Sequence, residues 1–260
     1  MDTMPSIVFE SKGVTYSIPS TNVRSIIKLP EITPIPNSDP FVRGIIEHRK
    51  NLYTVVDFRI LTSEKSLVEE FSIFRNMLEQ REKDHVNWLI ELENSVIENR
   101  PFTLATDPHK CAFGKWYDNY KSKNLGISKI LYKFNKPHKK IHMIATEIEN
   151  LKEKGLIEEC KSIIESTRNV ELNTMKSLFT KLKDDSIINF TESAILLDME
   201  SKKIALAIEK VSSVESIKKQ DTQNLNNFEL VNFDNSLITG LGESKESEMI
   251  VMLSDKLLLN

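Results

Sequence analysis

Five histidines and two cysteines are the residues of this chain best suited to holding a metal ion. His138 and His142 stand four apart in Pro137-His138-Lys139-Lys140-Ile141-His142. On a helix, positions i and i+4 share a face, so both imidazoles can point at one ion. His85 falls between Leu78 and Leu92 in an apolar repeat, which aims its ring inward. Cys111 opens Cys111-Ala112-Phe113-Gly114-Lys115-Trp116 at the start of a short predicted helix. A helix N-terminus favours the thiolate, the metal-binding and reactive form of cysteine. Three imidazoles and one thiolate suit tetrahedral zinc. Each residue alone has a plainer explanation, as a hydrogen-bonded core histidine or an ordinary buried thiol. Their co-occurrence on three helices of one predicted bundle brings the metal level with those plainer explanations. His109, two residues before Cys111, is an alternative imidazole, although its place beside Asp107 and Pro108 suits an exposed residue. His48 lies in a strand-rich region, and Cys160 follows Glu158 and Glu159, whose charges disfavour a thiolate.

Hydrolytic chemistry fits this set poorly. A catalytic zinc keeps one position open for water, and four protein ligands close it. Lys139 stands where a His-Glu-x-x-His motif has its glutamate base. The chain has no glycine-rich phosphate loop and no nucleophile elbow. Oxidation of a ligating thiolate, by contrast, removes a ligand and loosens what the metal joins.

The elements that must position these residues are legible as two textures. Residues 1 to about 62 read as strands: Ile7 to Phe9, Gly13 to Ile18 after a lysine-glycine turn, Val23 to Leu29, Phe41 to Ile46 and Leu52 to Ile60. Prolines 30, 34, 36 and 40 punctuate a loop among them. From Ser63 the period changes. Phe71, Phe74, Leu78, His85, Trp88 or Leu89, Leu92 and Val96 mark one face of a long helix closed by Pro101. A shorter helix is predicted from Pro108 through Tyr120. A third opens at Pro137, where a missing donor costs nothing in the first turn, and ends or kinks at Gly155. A fourth covers about 156 to 183. Such helices bury their stripes as an antiparallel four-helix bundle. After Ile187 strand texture returns in Ala194–Leu197, Ile204–Ile208, Val211–Ile217, Leu237–Leu241 and Met249–Leu253. Neither strand block alone can hide its edges. The expected organisation is therefore one β domain, 1–62 with 189–260, interrupted by a helical insert at 63–188, with three consecutive modules as the alternative.

At 260 residues and 40% hydrophobic content the chain has enough apolar material for one or two cores. A net charge of -3 without a basic block offers nucleic acid or anionic lipid nothing large to hold. No signal peptide opens the sequence and no window is apolar enough for a membrane helix. A cytoplasmic protein with unpaired cysteines is expected.

The insert resembles the chemoreceptor zinc-binding domain family through His85-Val86-Asn87-Trp88, Cys111-Ala112-Phe113-Gly114-Lys115-Trp116 and Pro137-His138-x-x-x-His142. The resemblance implies one Zn2+ per chain on His85, Cys111, His138 and His142, and a role in sensing that includes oxidation of the cysteine by hypochlorous acid-like oxidants. The flanking strands resemble the CheW chemotaxis coupling domain through Gly13-Val14-Thr15-Tyr16-Ser17-Ile18-Pro19, Val42-Arg43-Gly44-Ile45-Ile46, Val55-Val56-Asp57-Phe58-Arg59, Ile204 to Ile208 and the closing Ile250-Val251-Met252-Leu253-Ser254-x-Lys256-Leu257-Leu258. That family's asparagine-leucine-arginine-glycine segment reads Glu47-His48-Arg49-Lys50 here. The resemblance implies an α+β architecture, a double SH3-like β-barrel domain carrying the inserted bundle. It also implies a non-enzymatic adaptor between chemoreceptor tips and the regulatory domain of a histidine kinase. Two other functions are weighed against it: a constitutive scaffold in which zinc is purely structural, and a zinc-dependent hydrolase.

Overall fold

The computed structural model describes residues 3–122, 124–189, 191–199, 202–220, 237–245 and 248–254. Lys256, Leu257 and Leu258 of the closing motif lie outside the described residues. The chain divides into two compact units, Met1–Glu70 with Phe190–Asn260, and Phe71–Asn189.

In the first unit, strands from the two ends of the chain complete each other's sheets. The early strands are β1 (Thr3–Ser11), β2 (Val14–Pro19), β3 (Val23–Lys28), β4 (Val42–His48) and β5 (Asn51–Asp57). The late ones are β6 (Ser193–Met199), β7 (Lys202–Ile208), β8 (Lys210–Lys219), β9 (Ile238–Glu243) and β10 (Met249–Leu253). One sheet closes as a barrel in the order β1-β2-β10-β9-β8, and the other runs β3-β6-β7-β5-β4. Ile7 faces Val214 across antiparallel β1 and β8, and Tyr16 faces Val251 across parallel β2 and β10. In the second sheet Val56 faces Leu206 across parallel β5 and β7. Phe9, Tyr16 and Phe58 form an aromatic centre with ring centroids 4.8–5.7 Å apart, packed with Ile18, Ile195, Leu206 and Leu253.

Two turns need a left-handed backbone. Lys12 (φ 52°) and Gly13 (φ 79°) join β1 to β2, and Arg49 (φ 50°) and Lys50 (φ 64°) join β4 to β5. Two-residue hairpin turns favour positive φ at both positions because its twist matches that of the strands. The second turn keeps that shape without any glycine.

Strand β5 is shorter than its apolar pattern predicts. Asp57 accepts hydrogen bonds from the backbone N–H of Arg59 (3.0 Å) and Ile60 (3.3 Å), capping a single helical turn, α1 (Phe58–Leu61). Phe58 to Ile60 are thus helical, because an aspartate cap competes locally with the sheet ladder.

The second unit holds α2 (Leu67–Ile97, whose first turn lies in the β unit), a short α3 (Ala112–Asn119), α4 (Leu125–Glu153), α5 (Ile157–Thr167) and α6 (Asn173–Asn189). A π-helical turn, Arg168–Leu172, makes α5 and α6 one continuous rod. Ion pairs fix the directions. Lys183 with Glu82 and Arg168 with Glu93 set the rod antiparallel to α2, and Lys140 with Glu171, together with the Cys160 thiol against the Ile148 carbonyl, set it antiparallel to α4. Helices α2 and α4 run in the same direction, which the long connection 98–124 permits. Gly155 (φ 73°) ends α4.

Helix α4 begins twelve residues before the expected start, with Pro137 in its interior. Pro137 removes the donor for the Lys133 carbonyl and costs about 3 kcal/mol. Ile127, Ile130, Leu131 and Phe134 extend the buried stripe of Ile141, Ile144 and Ile148. Each such side chain contributes about 1.5–3 kcal/mol on burial, so the stripe outweighs the proline.

Candidate metal centre

Three helices deliver the four donors to one point. His85 sits on the inner face of α2, 3% exposed, and Cys111 is the N-cap of α3. His138 and His142 are successive inward positions of α4, at 4% and 0% exposure. The four ligand atoms lie within 4.8 Å of one another, with Cys111 Sγ 3.2 Å from His138 Nε2. Tetrahedral zinc, with bonds of about 2.0–2.3 Å, sets its donors roughly 3.4–3.7 Å apart. Small side-chain adjustments therefore suffice to close the site.

The hydrogen bonds around the site fix which atoms are offered. His85 Nδ1 donates to the Arg81 carbonyl at 2.7 Å, and His142 Nδ1 donates to the Ala105 carbonyl at 3.0 Å. Each ring is left with Nε2 as a lone-pair acceptor, and both Nε2 atoms are buried without a hydrogen-bond partner. A buried unsatisfied polar atom costs about 1–3 kcal/mol, so two in one cluster point to a missing common partner. A carbonyl behind each ligating imidazole is the arrangement that orients it toward a metal.

Electrostatics agree with neutral imidazoles. Burial, followed by the neighbouring His85 and His142, pushes His138 down to about 3. Burial and His85 push His142 down to about 4, and burial lowers His85 as well. Burial raises the Cys111 thiol, opposed by the backbone N–H groups of Gly114 and Phe113. A coordinated cation reverses that balance and deprotonates the thiol.

Local sequence explains how Cys111 is held. Its Sγ accepts from the Gly114 N–H at 3.1 Å and donates to the Pro108 carbonyl at 3.3 Å. A Cβ at Gly114 would sit 1.8 Å from the Pro108 oxygen, so only glycine lets the chain double back this closely. Phe113 lies edge-on to both His85 and His138, at 5.6 and 5.0 Å between centroids.

The other sulfur and nitrogen candidates lie elsewhere. His109 is 73% exposed and pairs with Asp118 at 2.8 Å. His48 closes strand β4 in the β unit. Cys160 is fully buried with its thiol 3.7 Å from the Ile148 carbonyl. Sequence reasoning did not assign the Arg81 and Ala105 carbonyls, since backbone acceptors leave no signal in residue type. Trp88 and Gly114 stood inside the motifs but had no stated role.

Residues 85–149 match the family model described as the chemoreceptor zinc-binding domain, a segment that contains all four donors. Residues 5–75 match that of the CheW-like domain. Two separate segments of the chain are thus similar to two domains, the CheW-like domain and the chemoreceptor zinc-binding domain. Strands β6 to β10 lie outside the CheW-like match and pair with β1, β2, β3 and β5 in the same two sheets. The scaffolding protein TtCheW from Thermoanaerobacter tengcongensis is similar in crystal structure, with 11% identity and a TM-score of 0.41 over 97% of this chain and 89% of that one. No curated protein matches. Among the described residues no helix is long and apolar enough to cross a membrane.

Proposed function

We propose that the chain is a cytoplasmic, non-enzymatic adaptor that couples chemoreceptor tips to the regulatory domain of a histidine kinase. In this reading 1–62 and 189–260 form the coupling domain, and 63–188 is an insert that senses through its metal centre. His85, Cys111, His138 and His142 are the ligands of one Zn2+. The observation that carries the reading is the convergence of these four donors, with two orphaned imidazole nitrogens, inside a chain that also matches the CheW-like domain.

When bound, zinc supplies the positive charge that holds Cys111 as a thiolate and ties α2, α3 and α4 together. The protein's own contribution is asymmetric. The three imidazoles are buried, whereas Cys111 is only half-buried and is the donor a small oxidant reaches first. Two-electron oxidation of the thiolate by a hypochlorous acid-like oxidant gives a sulfenate and weakens one ligand. The centre then loosens, and the change reaches the coupling domain along the chain at 70–71 and 189–190, where the two units join.

The second reading, a constitutive scaffold with zinc as a staple, is favoured by the closed four-donor set joining three helices. Binding to the kinase regulatory domain, measured before and after mild oxidant in the native chain and in Cys111→Ala, separates the two. The adaptor-sensor reading expects oxidation to release zinc and change affinity in the native chain, with Cys111→Ala unresponsive. Unchanged affinity after zinc loss assigns zinc a structural role only.

A further inference from the structure

We propose that Trp88 is a positioning residue for the metal centre, acting through the Ala105 carbonyl on His142 and on the segment that leads into Cys111. The inference rests on the ligand assignment above. The Trp88 indole N–H donates to the Ala105 oxygen at 2.8 Å, the same oxygen that accepts from His142 Nδ1 at 3.0 Å. A carbonyl has two lone pairs and satisfies both donors. The indole also stands edge-on to His142 (4.9 Å between centroids) and to Phe102 (5.0 Å).

The need for a pin follows from exposure. Trp88 is 5% exposed on the inner face of α2, whereas Thr103, Leu104, Ala105 and Thr106 are all exposed and in no regular element. Among the described residues, the Trp88 indole and His142 are the hydrogen-bond donors to the Ala105 carbonyl. If it turns to solvent, His142 loses the acceptor that keeps its proton on Nδ1 and its lone pair on Nε2. The same segment supplies the Pro108 carbonyl beneath Cys111 Sγ. One indole thus steadies the surroundings of two ligands from different helices. A buried tryptophan needs some acceptor in any core, but here the acceptor is one that a metal-site imidazole also uses.

The test uses the full chain and zinc itself, with affinity read by chelator competition. Trp88→Phe keeps the four donors and is expected to bind zinc about 10–100-fold more weakly, the usual consequence of losing an outer-shell partner. Cobalt(II) in its place should give shifted ligand-field bands, which a general loss of stability would not produce. Tyr53→Phe, a change at a buried aromatic of the β unit, should leave affinity and bands unchanged. Equal affinity and identical bands in Trp88→Phe overturn the proposal. If Trp88→Phe does not fold, hydrogen exchange in the native chain decides. Zinc should slow exchange of the Trp88 indole proton, and a Trp88 proton indifferent to zinc overturns the proposal. A native chain that binds no zinc sinks the ligand assignment as well, whereas native binding with an unaffected Trp88→Phe sinks only the role of Trp88.

Discussion

At the scale of single residues, burial keeps the three imidazoles of the centre neutral, and backbone carbonyls behind His85 and His142 leave Nε2 of each free to bind. That has a consequence for the metal-free protein. His138 and His142 titrate at about 3 and about 4 when folded, far below the ordinary value of 6.5. The unfolded chain therefore binds more protons between these limits, and folding stability must fall as pH drops below about 6.5. Thermal melts of the chelator-treated chain should show a lower midpoint at pH 5 than at pH 7.5. A midpoint independent of pH would contradict the burial of the imidazoles. Gly114 gives a second test. Gly114→Ala drives a Cβ into the Pro108 carbonyl and must displace the α3 cap, so zinc affinity should drop, by about 10-fold or more. Unaltered chelator competition in that variant would show that the close approach is dispensable. Residue type and i,i+4 spacing put His138 and His142 on one helix face, whereas His85 and Cys111 joined them, in preference to His109, through the resemblance of their motifs. The Arg81 and Ala105 carbonyls were not legible in the sequence, because any residue can supply one.

At the scale of elements, the instructive misreadings are α4 and the end of β5. Proline looked like a helix start at Pro137, yet the apolar residues upstream, Ile127 to Phe134, continue the same stripe and decide the outcome. Local chemistry lost to packing there. At Asp57 the reverse holds, since an apolar run that reads as strand is cut by a side chain capping the next turn. The direction of α2 relative to α4 also escapes a periodicity argument, because periodicity carries no information about the path of the 98–124 connection. If packing sustains α4 through its proline, Pro137→Ala should stabilise the bundle. Restoring the lost helical bond is worth up to about 3 kcal/mol, offset by about 1–2 kcal/mol of lost proline burial. A denaturant midpoint raised by a net of about 1 kcal/mol is expected; a lowered one would mean that Pro137 shapes the centre by its kink.

At the scale of the whole molecule, the two textures of the sequence correspond to two compact units, and the first is assembled from both ends of the chain. Each of its two sheets takes strands from both ends, so neither strand block closes its own edges. Which strands pair in parallel was not readable, since β2 with β10 and β5 with β7 are set by long-range closure. The second unit has its own core, from Leu78 and Phe113 to Phe179 and Leu182. A fragment of residues 71–189 should therefore fold alone and bind zinc as tightly as the full chain, as titration calorimetry would show; a fragment that stays unfolded with zinc present would mean that the β unit is required. For the whole chain, X-ray absorption at the zinc edge combined with metal analysis tests the central claim most directly. The account predicts one zinc per chain with one sulfur at about 2.3 Å and three nitrogens at about 2.0–2.1 Å. Zinc without a sulfur neighbour, or a chain that retains none, would contradict it.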